Sequence, residues 1–425
     1  MSFKEIFKRI LIDWQERRLP KLIEREIDIK TSKSKIIALI GPRRAGKTSI
    51  MYQTIEKALK RYHKENIIFI DFEDYRLIGL RAKDFDELFI AHEELFNAKP
   101  KFLFFDEIQN LDHWSKILRT LHNKNEYVIV ISGSTSKLSS YEISTELRGR
   151  YKSILVLPFS FKEFLKFKRF EYNDKLKYSK KKGKLLRLFN EYLHYGGFPE
   201  VIKTKSKNEK FELIKSYFET IYYKDILERY DIENKELMLK LMTYLIDING
   251  KEFSLSKFYK MLKSQGFEIS KKTISQYLQY LEDSFFIFTS QKYSHSPKVR
   301  ILNPKKVYLV DNAFYTFLSK TMTKDIGNLL ESLVMQHLKR KGYECFYFKQ
   351  NRECDFVARK DNKLIAIQVT KELNDDNIKR EIEGIKECMK SLNIKEGFVL
   401  VYDSPNINKI DNIPIKSVWE FLLHF

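Results

Sequence analysis

The run KIIALIGPRRAGKTSIMYQTI, residues 35–55, constrains this chain more than any other stretch. KIIALI is a short apolar run, and a buried parallel strand is the natural reading. It feeds into GPRRAGKT, which satisfies GxxxxGK[ST] at Gly41, Gly46, Lys47 and Thr48. Ile50, Met51, Thr54, Ile55, Ala58 and Leu59 then recur at helical spacing. A strand, a glycine-bearing loop and a helix in that order make a cradle for phosphates. The glycines let backbone N–H groups curl around the anion at a helix N-terminus. The cradle runs through Gly41, Pro42, Arg43, Arg44, Ala45 and Gly46, with Ser49 in the first turn. Lys47 would reach the β- and γ-phosphates, and the Thr48 hydroxyl would ligate Mg²⁺. Arg43 and Arg44 either add charge near the phosphates or face outwards to a partner.

Three further apolar runs supply the rest of such a site. NIIFIDFED, residues 66–74, reads as a strand with acidic residues at its end. KFLFFDEIQN, residues 101–110, reads as a buried strand that sets Asp106 and Glu107 at its C-terminal edge. Asp106 would hold Mg²⁺ through water and Glu107 would polarise the attacking water; the alternative is a solvated strand end. YVIVISGSTS, residues 127–136, ends in hydroxyls, so that Ser134 or Thr135 would stand between the carboxylates and the γ-phosphate. Arg148 and Arg150 follow, and either would serve as an arginine finger toward a neighbouring subunit. The competing reading is a phosphate or carboxylate contact elsewhere. No NKxD-type guanine-reading motif follows the fourth strand, which favours ATP.

GPRRAGKT, FFDEIQ, ISGSTS, LRGRY, LPFSFKEF and YGGFPEVI together resemble a family of AAA+-type ATPases. That family is widespread in archaea and bacteria and related to the signalling NTPases called STAND. The resemblance implies a P-loop AAA+ parallel-sheet core and a helical lid, with Gly197 and Pro199 of GGFP in the lid and the proline touching the base. IYYKDILERY, residues 221–230, is similar to the segment that closes the lid.

Charge bears on the remaining residues. Lys plus Arg number 78 against 57 Asp plus Glu, a net +21, which favours an anionic partner, nucleic acid first. A Lys-rich composition without such a partner is the bland alternative. The cysteines are Cys345, Cys354 and Cys388, with no CxxC pair, so a reducing compartment without a zinc site or disulfide framework is expected. The start reads as a basic amphipathic helix packed on the protein. No run approaches a membrane span, and a cytoplasmic location is expected.

The basic, aromatic stretch 161–184 reads as a helix and then a solvated loop, with YSKKKGK a turn. Residues 236–292 hold three helical patterns, the last two joined by a short turn at Gly266. Two short helices joined this way match a helix-turn-helix. FIFTSQKYSHSPKVRILNPKKVYLVD then reads as two strands around a basic turn, a wing. On this reading Lys271, Lys272, Thr273, Ser275 and Gln276 face DNA from the third helix. Lys292, Lys298 and Arg300 would meet the backbone from the wing. Winged helices also dock proteins, so that alternative stays open.

Residues 326–425 alternate helix and strand in the order α-β-β-β-α-β. With Asp at one strand end and an [EQ]x pattern on the next, this resembles the PD-(D/E)xK nuclease fold, α/β and restriction-endonuclease-like. Glu331 and Asp355 match its acidic positions. Gln368 stands where Glu is usual, Thr370 where Lys is expected, and Lys371 comes one residue late. A one-residue shift in a strand turns a side chain to the other face. The site therefore reads as degenerate, with a polar strand face as the alternative for Glu353 and Asp355.

The expected layout is an ATPase core over 1–158, a lid over 159–234, a winged helix over 235–322 and a nuclease-like domain over 323–425. The leading reading is a Mg²⁺-dependent ATPase that binds duplex or branched DNA, homo-oligomeric if an arginine acts in trans, and that couples ATP to a change of shape. A STAND-like switch with slow turnover and an ATP-gated, Mg²⁺-dependent nuclease are the alternatives.

Overall fold

The computed structural model of the chain describes residues 2–133, 147, 149–173, 179–322, 325–403 and 408–425. The chain folds as two compact units, Met1–Val156 and Leu157–Phe425.

In the first unit, helix α1 (Phe3–Glu16) is capped by the Ser2 side chain and buries Phe7, Ile10, Leu11 and Trp14. The expected amphipathic helix thus packs on protein. The Trp14 ring stacks on Phe69 at 5.2 Å, and its N–H donates to the Ile67 carbonyl at 2.8 Å. The sheet contains β1 (Ile36–Ile40), β2 (Ile67–Asp71), β3 (Phe102–Asp106), β4 (Val128–Gly133) and β5 (Tyr151–Leu155). All pairings are parallel, in the order β2-β3-β4-β1-β5. Helices α2 (Lys47–Leu59), α3 (Glu87–Phe96) and α4 (Trp114–Asn123) lie in the connections. Strands β1, β3 and β4 are buried throughout, which is why they read as continuous apolar runs. Strand β4 is inserted between β1 and β3. Its C-terminal end therefore stands between the loop after β1 and the carboxylates after β3, where open α/β sheets bind ligands. Gly41 leaves β1 so close to β5 that a Cβ there would lie 2.0 Å from the Val156 carbonyl oxygen.

The second unit begins with helices α5 (Phe161–Phe167), α6 (Lys182–Tyr195), α7 (Pro199–Lys203) and α8 (Lys207–Thr220). A Ser160–Glu163 capping box starts α5. Helix α6 already begins at Lys182, inside the expected YSKKKGK turn, because Leu185, Phe189, Tyr192 and Leu193 form a buried stripe that draws the preceding residues into helix. The segment Ile221–Leu227 is π-helical.

Next come α9 (Lys235–Asp247), β6 (Lys251–Phe253), α10 (Leu255–Ser264), α11 (Lys271–Asp283), β7 (Ile287–Lys292), α12 (Pro297–Leu302) and β8 (Lys305–Leu309). Ser254 and Ser270 cap α10 and α11 through their side chains. Strand β8 pairs antiparallel with β6 and β7. The turn between β7 and β8 is not a simple one: Pro297, at the first helical position where its missing N–H costs nothing, opens α12.

Helix α13 (Asn312–Leu318) leads to the tail, made of α14 (Ile326–Arg340), β9 (Glu344–Lys349), β10 (Glu353–Lys360), β11 (Lys363–Val369), α15 (Ile378–Ser391), β12 (Glu396–Val401), β13 (Lys409–Ile410), β14 (Ile413–Ser417) and α16 (Val418–His424). The expected helix, three strands, helix and strand are all present. The tail does not stand apart. Strand β7 pairs parallel with β9, Gln291 beside Phe346, so one sheet runs from β6 to β13. Buried polar groups tie the segments together. Asn249 Oδ1 accepts from Leu309 N and Ser332 Oγ, and Asn312 Nδ2 donates to the Leu193 and Leu329 carbonyls.

Candidate active site and a second acidic cleft

Gly46 N-caps α2, which puts Lys47 and Thr48 in its first turn. Lys47 is buried, and its ammonium donates to the carbonyls of Gly41 at 3.0 Å and Pro42 at 2.9 Å. The loop is thus curled around a cation at the position expected to meet phosphate. Ala45 is buried behind it, and its carbonyl accepts from Arg25 Nη1 at 2.8 Å. Gln53 holds the Arg25 backbone from α2, its Oε1 accepting from Arg25 N at 2.8 Å. Arg25, itself buried, braces the loop from behind; no motif marks it in the sequence. Arg43 pairs with Glu73 at 3.3 Å beyond the end of β2. Arg44 is exposed, with a left-handed backbone at φ 62°. Ser49 follows in the first turn of α2, partly buried.

The carboxylates meet this loop. Thr48 Oγ1 donates to Asp106 Oδ2 at 2.6 Å, and the Ser132 hydroxyl donates to Asp106 Oδ1. Ser132 Oγ also accepts from Glu107 N at 3.2 Å. Asp71 ends β2 in register with Asp106. Burial pushes the Asp106 carboxyl up and Glu107 adds to that, while the Ser132 and Thr48 hydroxyls and Lys47 pull the other way. A buried carboxylate held this way is stabilised by an added cation. Glu107 sits at φ 47°, a strained conformation for a residue with a side chain, and Gln109 Nε2 donates to its Oε2 at 2.5 Å.

The expected Ser134, Thr135 and Arg148 lie outside the described residues. Among the described residues of this strand, Ser132, inside β4, brings a hydroxyl to Asp106. Arg150 precedes β5, with its carbonyl accepting from Ile36 N at 2.9 Å.

The donor set fits a magnesium ion. Thr48 and Asp106 already touch, and such ions take few protein ligands, the rest coming from phosphates and water. Among the described residues no group of three His, Cys, Asp or Glu side chains forms a metal site by itself.

Gly197 lies in the second unit between α6 and α7, and Pro199 is the first residue of α7. Gly197 N donates to Asp311 Oδ2 at 2.7 Å, and Ala313 N donates to Asp311 Oδ1 at 2.9 Å. Burial raises Asp311 to about 7, against the pull of those two N–H groups. Pro199 opens α7 at its N-terminus.

On α11, Lys271, Lys272, Ser275 and Gln276 are exposed. Lys271 lies 5.6 Å from the Tyr259 ring centroid. Thr273 is partly committed to the cap, its hydroxyl 2.9 Å from Ser270 Oγ. Lys298 and Arg300 stand on α12 rather than on a strand, and Arg300 Nη1 donates to the Ser294 carbonyl at 3.2 Å.

A cleft of about 580 Å³ in the tail is lined by Glu331, Glu353, Asp355, Gln368, Lys371 and Glu381, among others. Glu331, Asp355 and Gln368 come together as the sequence implied. Lys371 lies past the end of β11 and lines the cleft with a side chain 57% exposed, its ammonium 3.9 Å from Glu372. The lysine on the acidic floor is Lys306 of β8, 4% exposed, which sequence reading missed. Its Nζ lies 2.8 Å from Glu353, 2.9 Å from Asp355 and 3.4 Å from Glu331. Burial alone would lower the Lys306 ammonium, but Asp355 and Glu331 more than offset it and the net shift is well upward. Burial, reinforced by Asp355, raises Glu331 to about 8.

The five-stranded parallel sheet and the loop it presents define an AAA-type P-loop ATPase fold. Residues 33–165 match the family described as an AAA domain. Residues 186–325 and 326–421 match two families described as domains of unknown function. An uncharacterized protein of Methanocaldococcus jannaschii is 38% identical over 98% of this chain and 89% of its own length. One from Haemophilus influenzae is 30% identical over 91% and 94%. The chain belongs to the family of these proteins. Among solved structures, a Walker-type ATPase of Pyrococcus abyssi is a looser likeness, with 16% identity, 74% and 95% coverage and a TM-score of 0.41. Among the described residues no helix is long and apolar enough to cross a membrane.

Proposed function

We propose that this chain is a Mg²⁺-dependent ATPase that binds DNA through its second unit and couples nucleotide turnover to a change of shape. The observation that carries the ATPase reading is the contact chain Thr48–Asp106–Ser132 beside the Lys47 loop. Thr48 and Asp106 would hold the metal, whose charge, when bound, offsets the negative charge that builds on phosphate oxygens. Lys47 binds the β- and γ-phosphates in exchange for its two loop carbonyls. Glu107 orients and polarises the attacking water, and Ser132 fixes the Asp106 carboxylate and the Glu107 backbone at once. Arg148 or Arg150 serves a neighbouring subunit as the finger.

The DNA reading rests on the net +21 charge, the exposed Lys271, Lys272, Ser275 and Gln276 of α11, and the Lys298–Arg300 helix between the paired strands β7 and β8. The order of helices and strands from α9 to β8 supports the winged-helix reading. Gly197 and Pro199 are proposed to belong to the lid and to meet the base.

A second reading, a regulatory switch with slow turnover, is favoured by one contact. Gln109 Nε2 donates to the Glu107 carboxylate at 2.5 Å, a bond that competes with an attacking water for that oxygen. The variants separate these readings. Lys47→Ala is expected to abolish tight ATP binding, and undiminished affinity contradicts the loop assignment. Glu107→Gln is expected to bind ATP and lose at least about 10²-fold in turnover. Gln109→Ala removes that bond: a several-fold faster basal rate supports the switch, and an unchanged rate removes it.

A further inference from the structure

The resemblance of the tail to metal-dependent nucleases implies a divalent ion on the acidic floor of its cleft. The residues present do not fit one. Lys306 Nζ contacts Glu353 and Asp355 at 2.8 and 2.9 Å, and Glu331 at 3.4 Å, from a position 4% exposed. Other ligand atoms are committed as well. Asp355 Oδ2 accepts from Val369 N at 2.9 Å. Glu353 Oε2 is 3.2 Å from Lys349. Gln368 turns its Oε1 to Asp355 N at 3.2 Å and donates through Nε2 to Glu381 at 2.6 Å. Tyr308, next but one on β8, donates to Glu331 at 3.2 Å.

We propose that Lys306 is the resident cation of this site: its ammonium stands in place of a divalent ion, and the cluster latches strand β8 to the tail instead of cutting a substrate. Asp355 is buried and Glu331 and Glu353 partly so, and acidic groups gathered this closely are stabilised by a positive charge among them. A lysine carried in on a neighbouring strand supplies that charge permanently and excludes a metal by occupying its place. The strand that carries it belongs to the segment proposed to meet DNA. That segment and the tail therefore move as one body, joined by the β7–β9 pairing and by this ion cluster. The inference concerns the second unit alone and stands whether or not the chain hydrolyses ATP.

The test is Mn²⁺ binding to the full-length, nucleotide-free chain, followed by electron paramagnetic resonance, with thermal unfolding alongside. In the wild type, Asp355→Asn is expected to leave the number of bound Mn²⁺ unchanged. Lys306→Met is expected to lower Tm by about 5 °C and to gain one Mn²⁺, bound at least about tenfold more tightly than by the wild type. Added Mn²⁺ should restore part of the lost Tm, and Lys306→Met with Asp355→Asn should lose the gained ion. Lys306→Arg, which keeps the charge, should gain none. A folded Lys306→Met that gains no Mn²⁺ overturns the proposal. Should Lys306→Met not fold, the wild-type arm still decides: loss of one Mn²⁺ on Asp355→Asn overturns it, and an unchanged number upholds it.

Discussion

Replacing Ser132 with alanine removes one hydroxyl that serves two groups. Ser132 is fully buried, so no water takes its place. Its Oγ donates to the Asp106 carboxylate and accepts from Glu107 N at 3.2 Å. A hydrogen bond to a charged group contributes about 1.5–3 kcal/mol net, and a buried N–H left without a partner costs about 1–3 kcal/mol. If the charged term is lost in the transition state, turnover falls about 10- to 150-fold, since each ~1.4 kcal/mol is a factor of ten. ATP affinity should change far less, because Lys47 and the loop are untouched. There is a second signature. The Ser132 hydroxyl lowers Asp106 against the upward push of burial, so its removal raises that carboxyl further. Asp106 must be ionised to hold a cation, so the acid limb of the kcat–pH profile moves to higher pH. The assay is steady-state ATP hydrolysis at saturating nucleotide, with Ser134→Ala beside it. Wild-type turnover in Ser132→Ala, with a large loss in Ser134→Ala, refutes the reasoning.

Two further perturbations probe the loop around Gly197. Asp311 is an acid raised from 3.8 to about 7, so the folded chain binds its proton more tightly than the unfolded chain. Its stabilising contribution is full below the unfolded value and lost as pH rises through about 7; Asp311→Asn should flatten the dependence of Tm on pH across that window. Gly196→Ala would set a Cβ 1.6 Å from Asp311 Oδ1 at φ +69°, and should destabilise the second unit by more than about 2 kcal/mol in denaturant unfolding.

What could be read from the chain was what lies close together in it. The phosphate loop is legible because Gly41, Gly46, Lys47 and Thr48 sit within eight consecutive residues whose flanks must be strand and helix. Asp106 and Glu107 are legible because a buried run ends on them. Ser132 is not legible as a partner of Asp106 because only the insertion of β4 between β1 and β3 brings its hydroxyl there. Arg25 carries no local pattern; its role depends on an approach to Ala45 made 20 residues away. Lys306 was invisible for the same reason. It lies 49 residues from Asp355, on a strand read as part of a separate wing. The pairing of β7 with β9, which brings wing and tail into one sheet, leaves no signature in either strand.

The central claim is that nucleotide hydrolysis at the Thr48–Asp106 site is coupled to DNA held by the second unit. The most direct measurement is the steady-state ATPase rate of the full chain with Mg²⁺, with and without duplex, single-stranded and branched DNA, across a salt series. The expected result is hydrolysis that DNA stimulates, with the stimulation falling as salt rises because phosphate contacts release counterions. A rate indifferent to every DNA at every salt concentration contradicts the account.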